Sequence, residues 1–119
     1  MKNNQIGIIG LGYWATNIIN TLEEMGYKNI HCFDVNKENA KSLKKKFHYI
    51  KVYKNINELV KLDLLGIIIA TNTKSHFPIA KLCLESNHNI FIEKPVTNSS
   101  LKIKQLIKLS KKKKKILMS

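Results

Sequence analysis

The sequence predicts an α/β fold, in which helices cover both faces of a doubly wound parallel sheet of about six strands. Short apolar runs alternate with amphipathic stretches along all 119 residues, which is typical of parallel strands joined by helical crossovers. One run, residues 66–70, is apolar throughout, as a strand buried on both faces should be. A chain of this length has room for one domain, so we expect residues 1–119 to form a single unit.

The first half of the chain is predicted to contribute three strands and three helices. The strands are residues 5–10, 29–33 and 49–53, and the helices are residues 13–25, a Lys-rich stretch ending near residue 46, and residues 56–60. Gly26 stands where a left-handed residue would end the first helix. Asn36 is placed to cap the second helix, and Asn55 with Glu58 forms a capping pair for the third.

The second half of the chain alternates in the same way. Its predicted strands are residues 66–70, 88–93 and 116–118. Ser75 is predicted to cap the next helix, and Pro78 lies in its first turn, where a missing N–H costs little. Asn98 or Ser99 opens the last helix, which runs to about residue 112. The predicted inner side of that helix consists of Ile103, Leu106, Ile107 and Ser110.

The formal net charge of +13 comes from lysine alone, because the 21 basic residues include no arginine. Lysine, asparagine and isoleucine are abundant together, which indicates a compositional bias rather than a selected basic surface. Arginine is the usual reader of guanine edges, so specific nucleic-acid binding is not expected. The alternative is a lysine-rich face that binds polyanions in a strongly salt-dependent way. That face consists of Lys102, Lys104, Lys108 and residues 111–115.

The cytoplasm is the compartment that the sequence predicts. Cys32 and Cys83 lie far apart, in a predicted strand and a predicted helix, as two small buried thiols of a reducing compartment would. No apolar run approaches the ~20 residues of a membrane span, and neither a signal peptide nor a Cys/His cluster is recognisable. Membrane association and a bound metal are therefore not expected.

A glycine-containing turn follows the first strand. Residues 6–15 read IGIIGLGYWA, so an apolar strand stops at a Gly-x-Gly and an amphipathic helix begins behind it. Gly10 allows a tight turn, Gly12 lacks the Cβ that would block phosphates, and Ala15 lets the helix pack close to the strand. Backbone N–H groups and the positive end of the helix then face an anion. This arrangement predicts a bound dinucleotide in a Rossmann-like domain.

Asp34 closes the second strand, where a carboxylate can accept hydrogen bonds from both hydroxyls of the adenosine ribose. It would repel a 2′-phosphate, and no arginine is near to receive one, so NAD is the expected cofactor and NADP is less favoured. Lys37 keeps NADP as an alternative, and a cap of the second helix is the alternative role for Asp34. Tyr13 and Trp14 begin the first helix, where they either pack against neighbouring elements or contact the pyrophosphate or the substrate entrance.

A polar segment follows the fourth strand, beside the point where the order of the strands reverses. Thr71 and Asn72 have short polar side chains that can reach the ribose and the nicotinamide half of the cofactor. His76 is a further candidate for a cofactor contact. The alternative for His76 is a histidine at the start of a helix whose ring is bonded to backbone groups.

Glu93, Lys94 and Pro95 follow the fifth strand, again at the ligand-binding edge of the sheet. A lysine here places a positive charge next to the nicotinamide, where it could orient a substrate hydroxyl or stabilise charge as hydride leaves. Glu93 is placed to hold that ammonium, and Pro95 fixes the turn, with a cis bond as one option. Lys94 is therefore the predicted catalytic residue, and an exposed turn between strand and helix is the alternative.

Together these segments resemble the N-terminal domain of the glucose–fructose oxidoreductase / inositol dehydrogenase (Gfo/Idh/MocA) family. The resemblance covers about residues 5–118 and rests on IGIIGLGYWA, FDVN, IIIATNTKSHFPIAKLCLES and NIFIEKPVT. It implies an NAD(P)-binding domain with Gly10, Gly12 and Asp34 at the cofactor and Lys94 in the active site. The implied reaction is oxidation or reduction of a CH–OH group in a sugar, a cyclitol or a nucleotide-linked sugar.

The sequence departs from the family in three ways. The third small position is Ala15 rather than glycine, which the fold tolerates. Asn72 stands where the family usually has proline. The family's second domain, which covers the nicotinamide and supplies an aspartate/histidine pair for proton transfer, is absent from residues 1–119. We therefore expect a dinucleotide-binding domain that is inactive alone. The alternative is a non-catalytic nucleotide-binding or sensing module that associates with a partner chain.

The last predicted strand, residues 116–118, would lie at the edge of the sheet with nothing behind it to cover it. An uncovered edge strand and apolar surface favour association with another chain. We expect self-association into a homo-oligomer or docking of the partner chain of a split enzyme. A sugar-like substrate is expected only when a second domain or a partner chain is present.

Overall fold

The structure, a computed structural model, describes residues 4–119 and contains a six-stranded sheet in which every pair of neighbours is parallel. The strands are β1 (Gln5–Ile9), β2 (Asn29–Phe33), β3 (Lys51–Val52), β4 (Gly66–Ile69), β5 (Ile90–Ile92) and β6 (Leu117–Met118). The helices are α1 (Ala15–Glu24), α2 (Lys37–Lys46), α3 (Ile56–Val60), α4 (Thr73–Glu85) and α5 (Ser100–Lys113). The predicted doubly wound α/β fold is confirmed.

The order of the strands across the sheet is β3-β2-β1-β4-β5-β6, so the direction of winding reverses between β1 and β4. Ile8 in the middle of β1 lies opposite Cys32 on one side and Ile68 on the other. Because the strands are parallel, the loops after β1, β2, β4 and β5 all leave the same edge of the sheet. Ligands of open α/β sheets bind at this edge, beside the reversal point.

Two apolar layers hold the helices against the sheet. On one face, α1 and α2 pack against β1 and β2, with Ile19 of α1 fully buried on the strands. On the other face, α3, α4 and α5 pack together over the sheet, with Leu59, Leu84 and Leu106 buried there. Each such side chain contributes about 1.5–3 kcal/mol by leaving water, so burial rather than helix propensity fixes the positions of the helices.

Side-chain caps start the helices largely as the sequence predicts. Asn36 and Asn55 cap α2 and α3, and Ser99 rather than Asn98 caps α5. The prediction that Ser75 caps α4 is wrong. Asn72 is the cap, since its Oδ1 accepts a hydrogen bond from the Ser75 N–H at 3.1 Å and the helix begins at the next residue. Asparagine is among the best N-cap residues, and the extended backbone of Asn72 suits that position.

Several elements are shorter than predicted, and one predicted inner residue is exposed. The edge strand β3 contains two residues where residues 49–53 were expected, because it pairs with β2 alone. Helix α1 begins at Ala15 rather than at residue 13, because a turn precedes it. Ile107 is 41% exposed, contrary to the prediction. It lies about 100° around the helix axis from the buried Leu106, so it points away from the sheet.

Within residues 4–119, no helix is long and apolar enough to cross a membrane. The same residues bring no group of three His, Cys, Asp or Glu side chains together as a metal ion would need. Both cysteines are buried and unpaired, and burial raises the pKa of the Cys32 and Cys83 thiols to about 12. The two thiols therefore stay protonated at neutral pH and are unsuited to nucleophilic chemistry.

Candidate functional site

The loop after β1 is held tightly against its neighbours at Gly10. This residue has a φ of 99°, and its N–H donates to the carbonyl oxygen of Phe33 at 2.9 Å. A Cβ on Gly10 would lie 2.7 Å from the backbone carbonyl carbon and oxygen of Ala70. Both the left-handed backbone and the close approach of the two loops therefore require glycine here. The tight turn brings the start of α1 to the edge of the sheet.

The next residues leave backbone donors and space at the N-terminus of α1. Trp14 occupies the N-cap position but makes no side-chain cap. The N–H groups of Gly12, Tyr13 and Trp14 donate to no acceptor in the described part of the chain. A Cβ on Gly12 would meet nothing within 4 Å, so packing does not explain this glycine. Unpaired N–H groups beside open space, at the positive end of a helix, suit a phosphate group.

The Asp34 carboxylate joins the loop after β1 to the loop after β2. Its Oδ2 accepts hydrogen bonds from the Leu11 N–H at 2.8 Å and from the Asn39 amide at 3.1 Å. Its Oδ1 accepts from the Asn36 N–H at 2.8 Å. The half-buried carboxylate is thus held in place with capacity left to accept from a hydroxyl. Neither the part of Asn39 nor the contact to Leu11 could be predicted, because no spacing pattern in the sequence marks them.

A cleft of about 240 Å³ lies between these two loops and the loop after β4. Among the predicted site residues, it brings together Gly10, Gly12, Asp34, Thr71 and Asn72. The apolar part of its lining comes from the strand ends and α4, as in most small-molecule sites. The cleft can hold the charged middle of a dinucleotide between donors on one side and a carboxylate on the other.

Tyr13 and Trp14 project from the start of α1 into solvent. The two side chains are 86% and 58% exposed, and their ring centroids lie 5.1 Å apart in an edge-to-face arrangement. Neither ring belongs to the apolar layers of the described residues. Ala15, directly behind them, is buried against the strands as a small residue must be at this approach. A contact of the two aromatic rings with a cofactor or substrate stays a prediction.

The turn after β5 presents Lys94 at the same edge. The Lys94 side chain is exposed and the peptide bond to Pro95 is cis. The N–H of the half-buried Glu93 donates to the Ile69 carbonyl at 3.1 Å, which continues the pairing of β4 with β5. Within residues 4–119, no ion pair joins Glu93 to Lys94. The ammonium is therefore available to a ligand, and the predicted catalytic role of Lys94 stays untested.

His76 lies beneath the cleft rather than in its wall. The side chain is 1% exposed, and both ring nitrogens lie within hydrogen-bond distance of backbone carbonyls. This geometry matches the alternative in which backbone groups satisfy the ring. Any effect of His76 on a ligand would therefore pass through the loops that the ring contacts.

Comparison with known proteins shows the family to which this chain belongs. The sequence matches, over residues 4–119, the family model described as an oxidoreductase family with an NAD-binding Rossmann fold. Myo-inositol 2-dehydrogenase of Thermotoga maritima is 29% identical over 112 residues, which cover 91% of this chain and 33% of that protein. The relatives named here are dehydrogenases, and none supports the alternative of a non-catalytic module.

Solved structures of larger proteins superpose on the whole described fold. A probable dehydrogenase from Thermotoga maritima has a TM-score of 0.86 at 26% identity, covering 96% of this chain and 34% of that one. UDP-N-acetylglucosamine 3-dehydrogenase GnnA from Acidithiobacillus ferrooxidans has a TM-score of 0.86 at 21% identity, covering 99% and 38%. The chain spans about a third of the length of these proteins. It belongs to the Gfo/Idh/MocA oxidoreductase family and comprises the family's NAD-binding Rossmann domain.

Proposed function

We propose that this chain is the cofactor domain of an oxidoreductase that acts on the CH–OH group of a sugar, a cyclitol or a nucleotide-linked sugar. The cleft at the carboxyl edge of the sheet supports this proposal most directly. There, Gly12 and Asp34 line the same cleft, and the N–H groups of Gly12 and of the next two residues bond to no described residue. The myo-inositol dehydrogenase relative supports a polyhydroxylated substrate. We further propose that residues 1–119 form one domain of a cytoplasmic protein, which the two buried free thiols support.

Five of the predicted residues have defined parts in this proposal. The N–H groups around Gly12 bind the pyrophosphate, and Asp34 accepts hydrogen bonds from the adenosine ribose. Thr71 and Asn72 line the path toward the nicotinamide half. NAD, when bound, supplies the ring that accepts or returns a hydride. Lys94 orients the substrate hydroxyl next to that ring and stabilises the charge that develops on its oxygen.

We infer that Lys94 alone does not meet two requirements for turnover. Hydride transfer from a CH–OH group needs a base for the hydroxyl proton, and the charged Lys94 ammonium carries no free lone pair to accept it. It also needs a site that excludes water, whereas Lys94 is exposed. We propose that a second domain or a partner chain supplies both, in keeping with the third of the relatives' length that this chain covers.

The isolated chain is expected to bind NADH and to show no turnover above background. Steady-state assays with NAD over a panel of sugars, inositols and nucleotide-linked sugars measure this directly. Folded protein with saturable, substrate-dependent NADH production would refute the claim that a further domain or chain is required. The Lys94→Ala variant is the control, because any turnover that survives this change does not arise at the proposed site.

The choice between NAD and NADP is tested by titrating the chain with NADH and NADPH while following the fluorescence of Trp14, the only tryptophan. We expect NADH to bind at least about tenfold more tightly, because the Asp34 carboxylate would repel a 2′-phosphate. Asp34→Asn should remove most of that preference. The ratio of the two affinities is the measured quantity, since a general weakening of the cleft affects both nucleotides alike.

Glu38→Gln is the matched control for Asp34→Asn. It removes one negative charge from the exposed first turn of α2, close to Asp34 but outside the lining of the cleft. The NADH/NADPH ratio should stay unchanged in this variant. Circular dichroism establishes that each variant is folded. Failure of the folded parent chain to bind either nucleotide would overturn the proposed function, and an unchanged ratio in Asp34→Asn would overturn the assigned role of Asp34.

A further inference from the structure

The buried His76 ring joins two loops that belong to different parts of the proposed site. Its Nε2 lies 2.9 Å from the carbonyl oxygen of Thr71, in the loop after β4. Its Nδ1 lies 2.9 Å from the carbonyl oxygen of Pro95 and 3.1 Å from that of Val96, in the turn after β5. A carbonyl oxygen only accepts hydrogen bonds, so the ring must be the donor. A neutral ring has one N–H and donates to one of the two loops, whereas a doubly protonated ring donates to both.

Few other hydrogen bonds join the two loops. The Glu93 N–H bonds to the Ile69 carbonyl, where the two strands end. Beyond that bond, every hydrogen bond between the two loops in residues 4–119 passes through the His76 ring. The ring is 1% exposed, so water does not compete for these carbonyls. Apolar packing of Val96 also holds the turn that carries Lys94, but its hydrogen bonding to the Thr71 loop depends on one side chain.

The loops that His76 joins serve one half of a bound dinucleotide. Thr71 lines the cleft on the side of the proposed nicotinamide path, and Lys94 immediately precedes Pro95, to whose carbonyl the ring bonds. The adenosine side of the cleft is built separately, by Asp34 and its contacts to Leu11. A defect in the His76 contacts should therefore affect the nicotinamide half of the ligand more than the adenosine half.

We propose that His76 is a positioning residue, which fixes the Lys94 turn against the Thr71 loop so that the nicotinamide half of the cofactor meets a preformed site. This inference rests on the proposed function, since it assumes that NAD(H) occupies the cleft. The ring does not touch the cofactor. It holds the Lys94 turn in one conformation before the ligand binds, so the turn loses less conformational entropy on binding.

The test compares NADH with ADP, which shares the adenosine and pyrophosphate but lacks the nicotinamide riboside. His76→Gln should weaken NADH about tenfold, as expected for the loss of one or two buried hydrogen bonds, and should change ADP by less than about twofold. His88→Gln is the matched control. His88 is also buried and bonded to a backbone carbonyl, that of Val60 at 2.7 Å, but it precedes β5 at the opposite edge of the sheet. It should leave the NADH/ADP ratio unchanged.

A double-mutant cycle with Lys94→Ala separates positioning from a general loss of structure. If His76 acts through the Lys94 turn, its substitution should matter less once the Lys94 side chain has been removed. The expected result is a tenfold effect in the parent that falls to about threefold or less in the Lys94→Ala background. Equal effects in both backgrounds, or equal weakening of NADH and ADP, would overturn the inference.

A measurement on the unmodified chain covers the case in which His76→Gln does not fold. The ring protons of His76 should give nuclear Overhauser contacts to Thr71 and Val96 without any nucleotide present, because the site is preformed. Contacts that arise only after NADH is added would contradict the inference. An unmodified, folded chain that binds neither NADH nor ADP would instead refute the proposed function, so the two failures are distinguishable.

Discussion

Gly10→Ala is expected to lower the free energy of unfolding by about 3–5 kcal/mol. The backbone φ of 99° is unfavourable for any residue with a Cβ, and that Cβ would lie 2.7 Å from the carbonyl carbon and oxygen of Ala70. The neighbour is backbone at the end of β4, in the middle of the sheet, and cannot move aside as a flexible side chain could. Urea denaturation followed by circular dichroism measures the loss.

Gly26→Ala separates the two causes of this loss. Gly26 also has a positive φ, of 93°, but a Cβ there would meet nothing within 4 Å. This variant should therefore lose only the conformational part, about 1 kcal/mol. Equal losses in Gly10→Ala and Gly26→Ala would mean that the close contact with Ala70 contributes nothing to the requirement for glycine.

Gly12→Val is expected to leave the free energy of unfolding within about 0.5 kcal/mol of the parent and to weaken NADH binding about 100-fold. A Cβ at this position points into open space, so the fold has room for it. That space is where the proposal puts the pyrophosphate, close to backbone N–H groups, and the valine methyl groups would exclude it. Gly12→Ala should give an intermediate loss. Titrations with NADH and ADP, both of which contain the pyrophosphate, measure the effect.

Asn20→Ala serves as the control for Gly12→Val, because Asn20 is an exposed residue of the same helix and lies outside the cleft. It should change neither stability nor binding appreciably. Full affinity of Gly12→Val for NADH would show that the phosphates lie elsewhere, and the opening beside α1 would then need another explanation. Substitution of Gly10 is thus expected to impair folding, whereas substitution of Gly12 is expected to impair binding.

Most of the fold could be predicted from the sequence, because the features that determine it are local and repeated. Apolar strand runs and Asn or Ser caps recur along the chain, and Asn36, Asn55 and Ser99 start their helices as expected. The N-cap of α4 was predicted wrongly because two residues suit that position. Asn72 and Ser75 are both good caps, and the helix starts at the earlier one. Ile107 fits the helical period roughly, but the sheet admits only a narrow stripe of α5.

The residues that line the candidate site could be predicted from the sequence, but the hydrogen bonds that join them could not. Gly10, Gly12 and Asp34 were found because a Gly-x-Gly turn and an acid after the next strand form a spaced pattern. The hydrogen bonds of Asp34 to Leu11 and of His76 to the Lys94 turn join residues 23 and about 20 positions apart. Such contacts use backbone groups, which every residue has, so no residue type in the sequence marks them.

Under its proposed role, Asp34 links the choice of cofactor to the stability of the domain, because the same carboxylate joins two loops. A substitution of Asp34 that removes the negative charge also removes at least one of the two oxygens that accept from Leu11, Asn36 and Asn39. A half-buried donor left unpaired costs about 1–3 kcal/mol, a large share of the stability of a small domain. If Asp34 selects NAD as proposed, a change to NADP is expected to need a second substitution, in the loop that contains Leu11 or at Asn39, that restores the lost hydrogen bonds. A single substitution of Asp34 that changes the cofactor should give a folded domain only when other residues raise its free energy of unfolding.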